Sequence, residues 1–298
     1  MNLSKTILFG GSGFQGPIIL EKYPDIISIG RSPLPKELTN KHIQIPNIDD
    51  LSALDNLDFD KVIFLIGSSN HHEINKSVMM GIEYNVIPIK KVLAYLKSKK
   101  RKIKKFIMFT TILLYDAKKI KLPVDESQPI NPYLNDYVFS KYLSEEVAKL
   151  YPEIPVIVVR MSNIYGPTWL IRPDLVPTLM QSVLSRDGAE VWSVRPERDL
   201  IYVKDAADAI VSLLDTDHTG PVNLGTGEAN SVSSVVEIIE KLSGKKIKVL
   251  DVPVSGPMKF IADISLLKKL TGWKPKYSLE EGLTDTYNIM KQLHSFPG

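Results

Sequence analysis

The stretch that decides the fold lies near the start of the chain, where TILF (Thr6–Phe9) is followed directly by GGSGFQG (Gly10–Gly16). Three of these glycines are spaced G-x-x-G-x-x-G, which gives a tight turn the positive φ angles that glycine adopts at little cost. Without side chains there, a pyrophosphate can reach backbone N–H groups at the start of a helix. A plain glycine-rich turn would look similar. The apolar strand before it and Pro17, suited to a first helical turn, favour a dinucleotide-binding loop.

The first half of the chain alternates short apolar runs with helical patterns. The predicted strands are Thr6–Phe9, Ile26–Ile29, His42–Ile45, Val62–Ile66, Lys105–Thr110 and Val156–Arg160, and the clearest helices are Asn85–Lys97 and Asp136–Leu150. Alternating strands and helices are typical of a parallel sheet covered on both faces, and continuous apolar runs are typical of its doubly buried strands. The sequence therefore predicts an α/β fold with a doubly wound parallel (Rossmann) sheet.

The sequence pattern changes after Gly166-Pro167, where prolines and glycines surround shorter apolar stretches. We expect residues 1–167 to form a dinucleotide-binding Rossmann domain. Residues 168–298 should form a smaller, mixed C-terminal lobe that binds substrate, with segments near 200–225 returning to the first domain.

Composition excludes several classes of protein. Of the 298 residues, 44% are hydrophobic and 24% charged, as in soluble globular proteins rather than disordered or coiled-coil chains. The absence of cysteine excludes disulfides, a thiol nucleophile and Cys-ligated zinc, and it fits a cytoplasmic protein. The net charge of +3 is too small to indicate nucleic acid. No apolar run approaches the ~20 residues needed to span a membrane.

Two clusters of polar residues could bind a metal or RNA, but each has a simpler explanation. The adjacent pair His71-His72, followed by Glu73, is not spaced to converge on one metal ion, and a loop at the rim of the cofactor site explains it better. No metal is therefore expected. The basic run over residues 97–105 is best explained as a solvated loop after a helix, with RNA binding left open as the alternative.

The end of the second predicted strand bears on the choice of cofactor. Gly30 stands where a carboxylate would bind the ribose hydroxyls of NAD, and Arg31 and Ser32 follow it. An arginine can pair with the extra 2′-phosphate of NADP. The sequence therefore favours NADP, with NAD and a plain surface arginine as the alternatives.

A tyrosine and a lysine four residues apart share one face of a helix, and the ammonium favours the phenolate, which makes the phenol a usable acid or base. This spacing occurs repeatedly, at Tyr95/Lys99, Tyr115/Lys119, Tyr137/Lys141 and Tyr287/Lys291. The context favours Tyr137/Lys141, because this pair opens a well-formed predicted helix just after two prolines.

A series of motifs follows one order along the chain, and the order carries more weight than any single motif. The series is Gly10–Gly16, Phe106–Tyr115, Asp125-Glu126 with Pro129 and Pro132, Tyr137 with Lys141, Arg160–Pro167, Arg198–Asp205, Asn223–Gly227 and Gly272–Pro275. It resembles that of an extended short-chain dehydrogenase/reductase of the NAD-dependent epimerase/dehydratase family over nearly the whole chain. UDP-galactose 4-epimerase and the nucleotide-sugar 4-keto reductases belong to this family.

The resemblance implies a role for each matching residue. Thr111 would hydrogen-bond the reacting sugar oxygen, Tyr137 would be the general acid/base, and Lys141 would hold the nicotinamide ribose and tune Tyr137. Asn163 and Arg198 would bind the nucleotide-sugar substrate, the arginine at its diphosphate. The implied cofactor-binding residues are Gly10, Gly13, Phe14, Gln15, Gly16, Arg31, Ser32, Asn47, Ile48, Ile66, Gly67, Asn85 and Lys141. A homodimer is common in such enzymes.

Several residues differ from the family pattern, and these differences favour some of the family's reactions over others. Ile112 and Leu113 follow Thr111 where the dehydratases carry an Asp-Glu pair, so water elimination is not expected. A second diphosphate arginine is also missing before Ala262. Together with Arg31, these features favour a 4-keto-sugar reductase. The alternative is a nucleotide-sugar (UDP-hexose type) 4-epimerase, which uses the same triad and tightly held NAD. A non-catalytic NAD(P)-sensing or RNA-binding module is a third alternative, against which the retained tyrosine and lysine argue.

Overall fold

The computed structural model describes residues 3–168, 170, 174–185, 188–254 and 256–295. The strands are β1 (Thr6–Phe9), β2 (Ile27–Gly30), β3 (His42–Gln44), β4 (Lys61–Phe64), β5 (Lys105–Thr111), β6 (Val156–Met161), β7 (Asn163–Tyr165), β8 (Ala189–Val191), β9 (Glu197–Arg198), β10 (Leu200–Tyr202), β11 (Gly220–Leu224), β12 (Asn230–Ser231), β13 (Ile247–Val249) and β14 (Lys259–Phe260).

The α-helices are α1 (Gly16–Lys22), α2 (His71–Ile74), α3 (Val78–Gly81), α4 (Ile87–Ser98), α5 (Asp136–Lys149), α6 (Leu175–Leu184), α7 (Val203–Ser212), α8 (Val232–Ser243), α9 (Ser265–Thr271) and α10 (Leu279–Ser295). A π-helical turn, Ile82–Val86, joins α3 to α4. Within the described ranges, no helix combines the length and apolar character needed to cross a lipid bilayer.

A seven-stranded parallel sheet forms the centre of the molecule, in the order β11-β6-β5-β4-β1-β2-β3. Successive residues of β1 face opposite sides of it. Leu8 packs in a core with α1 and α7, whereas Ile7 and Phe9 pack in a second core with α4. The predicted doubly wound fold is confirmed. Because β1 has β4 on one side and β2 on the other, the glycine loop that follows it lies at the point where the strand order reverses, the usual ligand position in such sheets.

The part of the chain after residue 167 is divided between two locations. Strand β11 pairs with β6 and extends the main sheet. Helices α6, α8 and α10 instead share a third core with the short strand β8, built on residues such as Leu179, Val235 and Leu283. The boundary at residue 167 stays a prediction.

A buried ion pair attaches α5 to the main sheet. Arg160 of β6 donates to Glu145 of α5 through Nε at 3.1 Å and Nη2 at 2.8 Å, and both residues are buried. Thr110 of β5 donates its hydroxyl to the same carboxylate at 2.8 Å. The Arg160 guanidinium lies 5.0 Å from the ring centroid of Tyr115. One carboxylate therefore holds α5 against two neighbouring strands.

We expect Glu145→Leu to lower the free energy of unfolding by about 3–5 kcal/mol, because it leaves the Arg160 charge buried without its partner. The double variant Glu145→Leu/Arg160→Met should recover part of that loss, since it removes both charges. Urea unfolding followed by circular dichroism measures the change.

The matched control is the next residue of α5. Glu146 forms an ion pair with Lys149 at 2.6 Å near the surface, so Glu146→Leu should change the free energy of unfolding by less than about 1 kcal/mol. Equal losses at positions 145 and 146 would contradict the proposed role of the buried pair.

Candidate active site

A cavity of about 510 Å³ opens at the carboxyl ends of the central strands. It brings together most of the site residues predicted from the sequence. Those in its lining are Gly10, Gly13, Phe14, Gln15, Ile66, Gly67, Thr111, Tyr137, Lys141 and Asn163.

The glycine loop has the geometry of a dinucleotide cradle. Gly10 has a φ of +87°, and Gly13 donates its N–H to the Gly10 carbonyl at 3.0 Å. A Cβ on Gly16 would lie 2.3 Å from the carbonyl oxygen of Gly11, so Gly16 allows α1 to start directly against the turn. Among the described residues, Gln15 Oε1 and Ser162 Oγ have no hydrogen-bond partner although both atoms are buried and both residues line the cavity. These features fit a large polar ligand such as a nicotinamide dinucleotide.

Two asparagines position the start of α5, which carries Tyr137 and Lys141 on one face. Asn135 caps the helix by accepting the N–H of Val138 at 2.9 Å. Asn75, from the loop after α2, accepts the N–H of Tyr137 at 2.9 Å. The Lys141 ammonium lies 5.8 Å from the ring centroid of Tyr137. The helix thus presents a phenol and a cation to the same cavity.

Asn85 holds the Lys141 ammonium from behind. Its Oδ1 accepts from Lys141 Nζ at 3.0 Å and from the N–H of Ser68 at 2.8 Å, while its Nδ2 donates to Ser140 Oγ at 3.0 Å. A Cβ on Gly67, whose φ is +154°, would lie 2.9 Å from Asn85 Oδ1. Burial lowers the pKa of Lys141 to about 8. Asn85 belongs to the π-helical turn, a distortion often found at functional sites.

Thr111 ends β5 and lines the same cavity. Its Oγ1 accepts the N–H of Leu113 at 3.2 Å, so the hydroxyl proton remains available to donate. Ile112 and Leu113 also line the cavity. Two apolar side chains therefore line the cavity directly after Thr111.

The structure separates the four Tyr/Lys pairs by their surroundings. Tyr137 lines the cavity. The Tyr115 hydroxyl donates to Asn223 Oδ1 at 2.8 Å inside the core, and the Tyr95 hydroxyl donates to Asp55 Oδ1 at 2.5 Å near the surface. Tyr287 packs in the core of the C-terminal helices. Of these four tyrosines, Tyr137 is the one that a substrate in this cavity could reach.

Several predicted site residues do not line the cavity. They are Gly16, Arg31, Ser32, Asn47, Ile48, Asn85 and Arg198. Arg31 and Ser32 are exposed after β2, and the Arg31 carbonyl accepts from Gln44 Nε2 at 2.8 Å. Asn47 Oδ1 accepts the N–H of Asp49 at 2.7 Å. Asn85, predicted to bind the cofactor, contacts Lys141, and its role in cofactor binding stays a prediction.

Arg198 also lies outside the cavity lining. Its Nη1 donates to the carbonyls of Glu197 at 2.9 Å and Met258 at 3.2 Å, so this nitrogen contacts the protein's own backbone. Burial lowers the pKa of its guanidinium. A role at the substrate diphosphate stays a prediction.

The cavity contains polar residues that the sequence analysis did not assign to a site. Ser162 follows β6 directly, Asp174 precedes α6, and His71 begins α2. Ser162 could have been found as a polar residue at the end of a buried strand. His71 is adjacent to His72, and the sequence does not indicate which of the two histidines faces the cavity. In the described part of the chain, no three His, Asp or Glu side chains form a cluster that could hold a metal ion.

Comparison with known proteins identifies the family of this chain and several proteins of similar sequence or fold. Residues 7–225 match the model of the NAD dependent epimerase/dehydratase family. A Methanocaldococcus jannaschii protein provisionally named UDP-glucose 4-epimerase is 28% identical over 303 residues, covering 96% of this chain and 98% of that protein.

Two solved structures share the fold over almost their full length. The UDP-N-acetylglucosamine 4-epimerase from Methanobrevibacter ruminantium, in complex with UDP-N-acetylmuramic acid, has a TM-score of 0.87 and 23% identity, covering 98% of this chain and 100% of that one. The UDP-glucose 4-epimerase from Stenotrophomonas maltophila, with bound NAD and formylated UDP-arabinopyranose, has a TM-score of 0.86 and 17% identity, covering 98% and 99%.

We expect Tyr137→Phe to lower turnover of a nucleotide-sugar substrate by about 10²–10⁴-fold, the usual contribution of a placed general acid/base. The ring is retained, so folding and cofactor binding should not change. Initial rates and cofactor titrations measure these effects. Tyr115→Phe should cost less than about tenfold, and Tyr95→Phe should have no effect. A loss at Tyr115 equal to that at Tyr137 would mean that another tyrosine serves the reaction.

We also expect kcat to fall as the pH rises through about 8, where Lys141 loses its proton. Below that pH its charge can stabilise the phenolate of Tyr137, and above it that stabilisation is lost. The pH profile of kcat between about 6.5 and 9.5 tests this expectation, with Lys141→Met as the variant that lacks the titrating group. A flat wild-type profile over this range would argue against a charged Lys141 in the reaction.

Proposed function

We propose that this chain, which belongs to the NAD-dependent epimerase/dehydratase family, is a nucleotide-sugar 4-epimerase that uses NAD. The observation that carries the proposal is a single cavity lined by both the glycine loop and the group Thr111, Tyr137 and Lys141. A cofactor and a sugar bound there would meet beside the tyrosine. The proposal adopts the alternative of the sequence analysis in place of the 4-keto-sugar reductase.

Relatives support epimerisation over net reduction. The M. jannaschii relative, matched over almost its whole length, carries a 4-epimerase name. Both neighbouring folds are UDP-sugar 4-epimerases. An epimerase oxidises and reduces the same sugar carbon within one site, so it needs no second substrate to restore its cofactor. Thr111, Tyr137 and Lys141 suit both reactions, and the relatives favour the epimerase.

NAD replaces NADP in the proposal. The preference for NADP rested on Arg31, and the relatives do not support it, since the family is named for NAD and a neighbouring fold holds NAD. Arg31 is exposed in the structure, as expected if it is a plain surface arginine. Gly30 does not supply the carboxylate that often binds the ribose of NAD, so other groups near the end of β2 would have to contact this ribose.

The residues of the cavity suit the parts of the dinucleotide. The glycine loop would hold the pyrophosphate, and the buried Gln15 Oε1 and Ser162 Oγ offer polar groups to the ligand. Lys141 would hold the nicotinamide ribose. When bound, NAD supplies reversible acceptance of a hydride from the sugar.

The chain's own residues would move the proton. Tyr137, as the phenolate that the Lys141 charge would stabilise, would take the proton of the sugar's C4 hydroxyl as C4 is oxidised to a ketone, and it would become the neutral phenol. Thr111 would donate a hydrogen bond to the same sugar oxygen, where negative charge develops. Tyr137 would return the proton once the ketone presents its other face.

Epimerisation also requires the sugar to turn between the two steps. Leu113 and Val176 line the cavity without offering hydrogen bonds from their side chains. An apolar surface of this kind does not fix one orientation of a hydroxylated ring. The cavity could therefore accept both faces of the ketone.

The test is conversion of UDP-galactose to UDP-glucose by purified protein without added nicotinamide. We expect a mixture of both sugars and the release of NAD from the protein after denaturation. NADPH should not increase the rate. Tyr137→Phe, loaded with NAD, is the inactive control. Stoichiometric consumption of NADPH with a 4-keto-sugar, and no epimerisation, would restore the reductase alternative.

A further inference from the structure

The two adjacent histidines after β4 have different surroundings. His71 is half-buried and lines the cavity, whereas His72 is exposed and lies outside the lining. The ring centroids of His71 and Tyr137 are 6.2 Å apart. An imidazole thus stands beside the proposed acid/base and faces the same space.

The short helix α2 holds His71 in a fixed position relative to Tyr137. Ile74 is fully buried in a small core with Leu114, Tyr137 and Val138. Asn75, directly after the helix, accepts the N–H of Tyr137 at 2.9 Å. Apolar packing and a hydrogen bond therefore link the histidine segment to the start of α5, and His71 needs no rearrangement to contact a ligand next to Tyr137.

The surroundings of His71 favour a neutral ligand group. Burial lowers the pKa of His71, with His72 contributing and Asp174 opposing. Near neutral pH the imidazole is then uncharged, with one nitrogen that donates and one that accepts. Asp174 lines the same cavity and would repel a carboxylate on the ligand. A hydroxyl, which can both donate and accept, matches this pair of groups.

We propose that His71 binds the sugar of the substrate by hydrogen-bonding a ring hydroxyl near the carbon on which Tyr137 acts, and so selects uncharged hexoses over uronic acids. This inference rests on the proposed function, because it needs a nucleotide sugar in the cavity. It makes His71 a specificity-determining residue and gives no such role to His72.

The experiment compares His71→Leu with His72→Leu, both loaded with NAD. Calorimetry measures the affinity of each for UDP and for UDP-glucose. His71→Leu should lower the affinity for UDP-glucose about 3- to 10-fold, the effect of one neutral hydrogen bond, and leave the affinity for UDP unchanged. His72→Leu should change neither, and His71→Asn, which can still donate and accept, should recover part of the loss. Wild-type protein should bind UDP-glucuronate more weakly than UDP-glucose.

Three results would overturn the inference while leaving the epimerase proposal intact. They are an effect of His71→Leu no larger than that of His72→Leu, an equal weakening of UDP and UDP-glucose, and a wild-type preference for UDP-glucuronate that His71→Leu removes. Wild-type protein that binds NAD but neither UDP nor UDP-glucose would instead contradict the proposed function, and the inference with it.

Discussion

The buried ion pair between Glu145 and Arg160 is the interaction on which the geometry of the site depends. Glu145 lies one helical turn after Lys141 and two turns after Tyr137, so the contact that fixes one end of α5 also fixes the groups at the other end. Thr110, which donates to the same carboxylate, directly precedes Thr111. A single buried carboxylate therefore sets the separation between the threonine on β5 and the tyrosine on α5. Side chains that must act on the same sugar oxygen require such a fixed separation.

Close packing behind α5 supports this arrangement. A Cβ on Gly81 would lie 2.7 Å from Cβ of Ser140, so α3 can approach α5 only because this residue is glycine. The approach brings Asn85 within hydrogen-bonding distance of Lys141. The lysine is buried and would be costly to keep charged in an apolar environment, but the Asn85 oxygen offers partial compensation. Desolvation by burial lowers the pKa of Lys141.

The cavity lining includes two kinds of side chain, polar and apolar. Thr111, Tyr137 and His71 offer hydrogen bonds, whereas Leu113 and Val176 do not. This division fits an enzyme that must hold one oxygen precisely while it releases the rest of the ring between two half-reactions. Ile112 and Leu113 give the cavity no carboxylate directly after the threonine, in keeping with the expectation that water is not eliminated.

The sequence by itself determined the parts that depend on local pattern. Six strands of the main sheet were predicted to within two residues. Five of them are buried, continuous apolar runs, whereas β3 is a partly buried strand at the sheet edge. The glycine loop, Thr111 and the Tyr137/Lys141 pair were also located from spacing and motif order. Tertiary structure alone decided that Asn85 lies behind Lys141, that Arg198 bonds to backbone carbonyls, and that His71 rather than His72 faces the cavity. These outcomes depend on contacts between residues far apart in the chain, such as that of Asn75 with Tyr137. Local periodicity indicates only that a segment is buried. It does not indicate which distant residue that segment contacts.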